Sequence, residues 1–213
     1  MENDAIWQVR PAYANGALLA WRRLHSEEAK AEVAERLQRE SELDDERARA
    51  NPRAYLPGLA LRLEMQGARG VLRRLEQQGL KGEGLRLAFL AEYDRAVQES
   101  SIFAHEGRHA IDFLIGTKLR PEWKGEYYAK LSEVVFTTDP RLALGGILTP
   151  NIGNDSYHGQ ANQRIMKGLV EWMKRHRKEI RGLDLERPLL PQFDLLSDEQ
   201  IKEVFRSMDP LAE

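Results

Sequence analysis

Apolar residues along this chain recur at intervals of three and four rather than alternating, and that spacing predicts helices. A charged Ala-, Glu- and Arg-rich stretch from Ser26 to Ala50 has few and small apolar positions, so it reads as a helix exposed over most of its surface. Asn51-Pro52 reads as a cap followed by a first-turn proline. It would open a second helix from Arg53 to Gln78, interrupted at Gly67 or Gly70. Gly79, Gly82 and Gly84 break the pattern. Leu87, Leu90, Tyr93, Val97, Ile102 and Phe103 then mark one long central helix from Leu85 to Ile115, ended by Gly116. Further helices are expected over Glu126–Thr138, from Asp139-Pro140 through Leu144, and over Gln160–Ile180 with Ile165, Leu169, Trp172 and Met173 as the apolar face. Ser197-Asp-Glu-Gln200 has the spacing of a capping box and should start a last helix ending near Met208. Residues 145–159 read as a polar, glycine-bearing loop and 183–196 as an extended segment. The fold class that follows is mainly α, with little or no β-sheet. The places left for a short strand or hairpin are Ile6–Tyr13 and the proline-bearing segment.

Composition narrows the function classes. At 213 residues the chain fits a single domain, with 1–50 as a charged helical N-terminal region and 85–180 as the central core. Charged residues make up 31% and the net charge is -2, which supplies no bulk attraction to nucleic acid. The basic cluster Lys174–Lys178 is short and balanced by Glu171 and Glu179. No apolar run approaches the ~18 residues that cross a membrane. The N-terminus has neither the basic nor the apolar region of a signal peptide. The compartment is open: cytoplasmic by default, exported if the natural chain is longer. There is no cysteine, so any metal must be held by histidine and carboxylate.

One pattern carries chemistry. His105-Glu106-Gly107-Arg108-His109 is H-E-x-x-H, inside the helix expected from Leu85 to Ile115. Histidines four apart lie one above the other on a helix face, where both imidazoles can reach one metal ion. Two histidines and a glutamate would be costly to bury without such compensation. Glu106 directly follows the first histidine, the position of the carboxylate that takes a proton from the attacking water in zinc hydrolases. Two ligands leave the centre incomplete. A catalytic zinc needs a third protein ligand and an open position, and without cysteine or a third histidine nearby that ligand must be a carboxylate. Asp112, three residues after His109, is placed either to orient a ligand or to form a salt bridge.

These residues resemble the zincin metallopeptidases, and the gluzincin branch in particular; the resemblance covers Ile102–Glu133. A metzincin would need glycine where Asp112 stands and a third histidine further on. The resemblance implies a glutamate ligand on a following helix in an E-x-x-A pattern, which Glu126-Tyr-Tyr-Ala129 matches, although Lys130 stands where many families carry aspartate. Glu133, two turns on, is the alternative third ligand or a partner supporting one. The resemblance also implies a downstream histidine or tyrosine that stabilises the oxyanion, for which His158, at the end of the polar loop, is the candidate. Zn2+ is the expected cofactor and a peptide or protein the expected substrate, with Glu106 and His158 catalytic and His105, His109 and Glu126 binding metal. The alternatives are a catalytically inactive zincin-like module that binds or regulates a partner protein, a zinc hydrolase acting on a non-peptide amide or ester, and a closed structural zinc site. Zinc peptidases commonly lay substrate along a strand edge, and the sequence offers no such strand.

Overall fold

The structure, a computed structural model, describes residues 10–116, 121–148 and 156–209. Among them are nine α-helices and no strand. In order they are α1 (Arg10–His25), α2 (Glu27–Ala50), α3 (Pro57–Gln77), α4 (Gly82–Gln98), α5 (His105–Leu114), α6 (Trp123–Val135), α7 (Pro140–Ile147), α8 (Tyr157–Arg175) and α9 (Asp198–Arg206). A π-helical turn, Glu99–Ala104, joins α4 to α5, and a 3-10 helix spans Leu190–Leu195. The mainly-α expectation holds. No described helix is long and apolar enough to cross a membrane.

α3 is the spine. Leu59 and Leu63, in its first turns, belong to the larger core with Leu131 and Val134 of α6, Leu144 and Ile147 of α7, Ile165, Leu169 and Trp172 of α8, and Ile201, Val204 and Phe205 of α9. Ala68, Val71 and Leu75, further along, pack with Ala17 and Ala20 of α1 and Leu85, Phe89 and Tyr93 of α4. Gly67 causes no interruption. A Cβ there would lie 2.7 Å from Leu142 Cδ2, so the glycine lets α7 approach α3 closely. The start of α3 differs from the expectation at Asn51-Pro52. Asn51 closes α2, its side chain accepts a hydrogen bond from Arg53 N (3.0 Å), and the helix begins at Pro57. Leu56 has no capping side chain, and the buried Asp44 of α2 accepts from Leu59 N instead (2.7 Å).

Other boundaries shift. Arg10–Tyr13 is the first turn of α1, not a strand, and Ile6–Val9 lie outside the described residues. α8 begins at Tyr157 rather than Gln160, capped by the Ser156 hydroxyl, which brings His158 into its first turn. It also ends earlier than expected, at Arg175. Residues 149–155 of the expected loop lie outside the described residues. The segment 183–196 is mostly turns and the 3-10 helix, tied by Gln192 to Asp184 and Pro188. The capping box at Ser197 and Gln200 forms as expected.

The expected central helix is three pieces in series. Its buried positions run 85, 89, 93, 96, 100, 105, 108 and 112. Every step is three or four except the step of five from Ser100 to His105, which the π-turn accommodates. Ser100 and Ser101 Oγ both donate to Val97 O (3.1 and 2.7 Å), competing with the regular backbone ladder. Glu99 accepts from Thr138 N (3.1 Å), which anchors the turn to the segment after α6. Leu87 and Phe103, expected inside, are 55% and 70% exposed, because the true inward stripe is Leu85, Phe89, Tyr93 and Ala96.

Candidate metal centre

The π-turn sets the register in which α5 presents His105 inward. His105 is buried and His109 half-buried, one turn apart on the face toward α6. Arg108, between them, holds that face in place. Its buried guanidinium pairs with Asp112 (3.1 Å) and Asp209 (2.6 Å), donates to Ser132 Oγ of α6 (3.3 Å) and lies 5.0 Å from the Tyr128 ring centroid. Asp112 therefore serves Arg108 and not a histidine ring. α8 is tied to the start of α6 by Arg164, whose guanidinium stacks 3.7 Å from the Trp123 ring centroid. Arg164 makes no ion pair with Glu133 among the described residues and donates instead to Gln160 O (3.2 Å).

On this frame α6 brings two carboxylates to one histidine from opposite sides. Glu126 Oε2 is 3.5 Å from His105 Nε2, and Glu126 Oε1 is 3.6 Å from His109 Nε2. The two Nε2 atoms are 3.3 Å apart. Glu133 Oε1 lies 2.5 Å from His105 Nδ1. With Glu133 engaging Nδ1, the nitrogen that can give up its proton to a metal is Nε2, on the side of His109 and Glu126. Supporting carboxylates hold metal-binding histidines in this way. His158, from the first turn of α8, has Nδ1 2.8 Å from Glu126 Oε2 and a side chain about half exposed. Glu106 is exposed at the rim and makes no hydrogen bond or ion pair among the described residues.

The electrostatics are those of a cation site. Burial opposes protonation of His105, but Glu126 and Glu133 outweigh it and push its pKa up to about 9. Burial likewise opposes ionisation of Glu126, yet His105, His158 and His109 hold its carboxyl below the usual range. Glu126 Oε2 is buried without a hydrogen bond, although His158 Nδ1 lies 2.8 Å away. Both side-chain polar atoms of Asn162, one turn after His158 on α8, are also buried and unpaired. Three of the four such orphan atoms among the described residues therefore lie on two side chains of the α6–α8 pair that flanks this centre.

His105, His109 and Glu126 form a group that could hold a metal ion. Ligand atoms about 2.0–2.1 Å from a tetrahedral centre lie ~3.3–3.4 Å from one another. The two imidazole nitrogens, 3.3 Å apart, meet that condition, while Glu126 offers a different oxygen to each of them (3.5 and 3.6 Å), one ligand atom from each residue lying within 4.8 Å of the others. Nitrogen and carboxylate donors, a half-exposed His109 and an orphaned Glu126 oxygen fit a three-ligand centre open on one side. His25 and His176 stand apart, stacked on Trp21 and Trp172 respectively. His25 is exposed, and His176 is half-buried and paired with Glu179. No family model, curated protein or solved structure matches the chain.

The roles of Glu133 and Asn162 were not separable in sequence. Glu126 and Glu133 are seven apart and share a helix face, so spacing alone ranks them equally as ligands. Asn162 carries a signal only once His158 is known to face the centre, since it lies four residues further on the same helix face.

Proposed function

We propose that the protein is a zinc-dependent hydrolase, a gluzincin-like metallopeptidase that cleaves peptide bonds. The observation that carries this reading is the cluster of His105 Nε2, His109 Nε2 and the Glu126 carboxylate at 3.3–3.6 Å, with Glu106 next to the first histidine. Zinc bound there supplies Lewis acidity, lowering the pKa of a water and polarising the scissile carbonyl. His105 and His109 would hold the ion through Nε2, with Glu133 fixing the His105 ring, and Glu126 would supply the third protein ligand. Glu106 accepts the proton of the attacking water at a carboxylate oxygen and delivers it to the leaving amine nitrogen as the C–N bond breaks. His158, at the mouth of the centre, offers an imidazole N–H to the oxygen that becomes negative when the carbonyl is attacked.

Glu106→Gln tests this assignment. The variant should keep the zinc content of the native chain and lose hydrolysis of a peptide library by about a hundredfold or more. Full activity in the variant, or no stoichiometric zinc in either protein, would refute it. A native chain that binds zinc at this centre but cleaves nothing would be an inactive, partner-binding relative of such enzymes.

A further inference from the structure

Twelve large apolar side chains are exposed among the described residues, and five of them lie within thirteen positions of the metal-motif helix. They are Phe103, Ile111, Phe113, Leu114 and Ile115, with Phe113 85% and Leu114 80% exposed. This is an apolar concentration of the kind that marks an interaction site rather than scattered surface. Its register ties it to the chemistry. Phe113 follows His109 by four residues and Glu106 by seven, and Ala110 follows Glu106 by four. The exposed positions 106, 110, 113 and 114 therefore form one stripe running from the candidate base along α5. Helix side chains lean toward the N-terminus, so Phe113 and Leu114 incline toward the preceding turn, which carries His109 and Ala110. The only charge on the stripe is Glu106, because Arg108 and Asp112 are buried against each other.

Among the described residues there is no strand edge on which a peptide could be held by backbone pairing. The exposed apolar side chains of α5 offer side-chain contact. We propose that the exposed face of α5 is the substrate-binding surface, and that it selects peptides with bulky apolar side chains beside the scissile bond and disfavours acidic ones. This rests on the hydrolase reading, which makes Glu106 the point a substrate must reach. The apolar stripe supplies contact for Phe, Leu or Ile side chains, and the Glu106 carboxylate repels a neighbouring Asp or Glu.

The test separates binding from turnover. Zinc-loaded Glu106→Gln protein is titrated by fluorescence anisotropy with labelled hexapeptides that carry Phe, Leu, Ser or Asp at the central positions. The Phe and Leu peptides should bind at least about tenfold more tightly than the Ser peptide, and adding Phe113→Ser should abolish that advantage. Phe136→Ser, at an exposed phenylalanine outside the stripe, should leave it unchanged. The Asp peptide should bind more weakly than the Ser peptide to the zinc-loaded native chain, and this difference should shrink in Glu106→Gln. Both phenylalanines are exposed, so neither variant threatens the fold. Equal affinity for apolar and polar peptides, or no effect of Phe113→Ser, would overturn the proposal. So would self-association or vesicle binding that Phe113→Ser abolishes in the absence of any peptide preference. Apolar binding without zinc-dependent cleavage by the native chain would leave the surface standing and remove the hydrolase reading. Zinc-dependent cleavage without side-chain preference would do the reverse.

Discussion

With no metal bound, raising the pH should destabilise this protein by an amount that the His105 cluster itself sets. In the metal-free chain His105 has Glu133 at Nδ1 and Glu126 at Nε2, and its pKa is pushed up from 6.5 to about 9. A group whose pKa is raised on folding contributes stability that is fully present below the unfolded value and is lost as pH rises through the folded one. At about 1.4 kcal/mol per pH unit, the interval from 6.5 to about 9 is worth about 3 kcal/mol. That is a large share of a typical folding free energy of roughly 5–15 kcal/mol. Urea unfolding of chelator-treated protein between pH 6 and 10 measures it, with the midpoint converted through a constant slope. Zinc requires a deprotonated Nε2, so the same protons compete with the metal. Stability at fixed, buffered free zinc should stay level over this interval, while apparent zinc affinity rises by about two orders of magnitude. His105→Gln should remove the pH dependence. A metal-free midpoint that does not move between pH 6.5 and 9, or a zinc affinity independent of pH there, would refute the placement of His105 between two carboxylates.

Two further changes probe the support of the centre. Glu133→Gln removes the carboxylate 2.5 Å from His105 Nδ1 and should weaken zinc binding by about 10–100-fold in a chelator competition while the fold persists; unchanged affinity would mean Glu133 does not orient the ring. Asn162→Leu removes two buried, unpaired polar atoms and should raise the stability of the metal-free protein by about 1–3 kcal/mol in urea unfolding; a loss of stability would show that the amide has partners.

What could be read from the sequence was what depends on neighbours along the chain. Eight of the nine helices fall in stretches that spacing, caps and charge pattern mark as helical, α4 and α5 within a single one, and the Ser197–Gln200 box appears where its pattern placed it. The four-residue spacing of His105 and His109 correctly implied a shared face. The failures have a common cause in contacts between distant residues. α3 starts late because its capping acceptor, Asp44, sits on α2. The central stripe was mis-phased because a five-residue step at Ser100–His105 is stabilised by serine back-bonding and by Glu99 reaching Thr138. The E-x-x-A pattern favours Glu126 over Glu133 as the third ligand, but the division of roles is visible only in the fold, which places one carboxylate at each ring nitrogen of His105. α1 is legible only as part of the helical region expected over 1–50, because its large apolar residues Leu18 and Leu19 face outward while the small Ala17 and Ala20 are buried, and these acquire meaning only against Phe89 and Tyr93 of α4.

The central claim is a zinc centre built from His105, His109 and Glu126 and open on one side. X-ray absorption at the zinc edge, on the loaded native chain and on Glu126→Gln, tests it directly. The account predicts one zinc per chain with two imidazole nitrogens, one carboxylate oxygen and one non-protein oxygen, and a loss of the carboxylate together with weaker binding in the variant. Four protein ligands, no stoichiometric zinc, or a Glu126→Gln spectrum identical to the native one would contradict it.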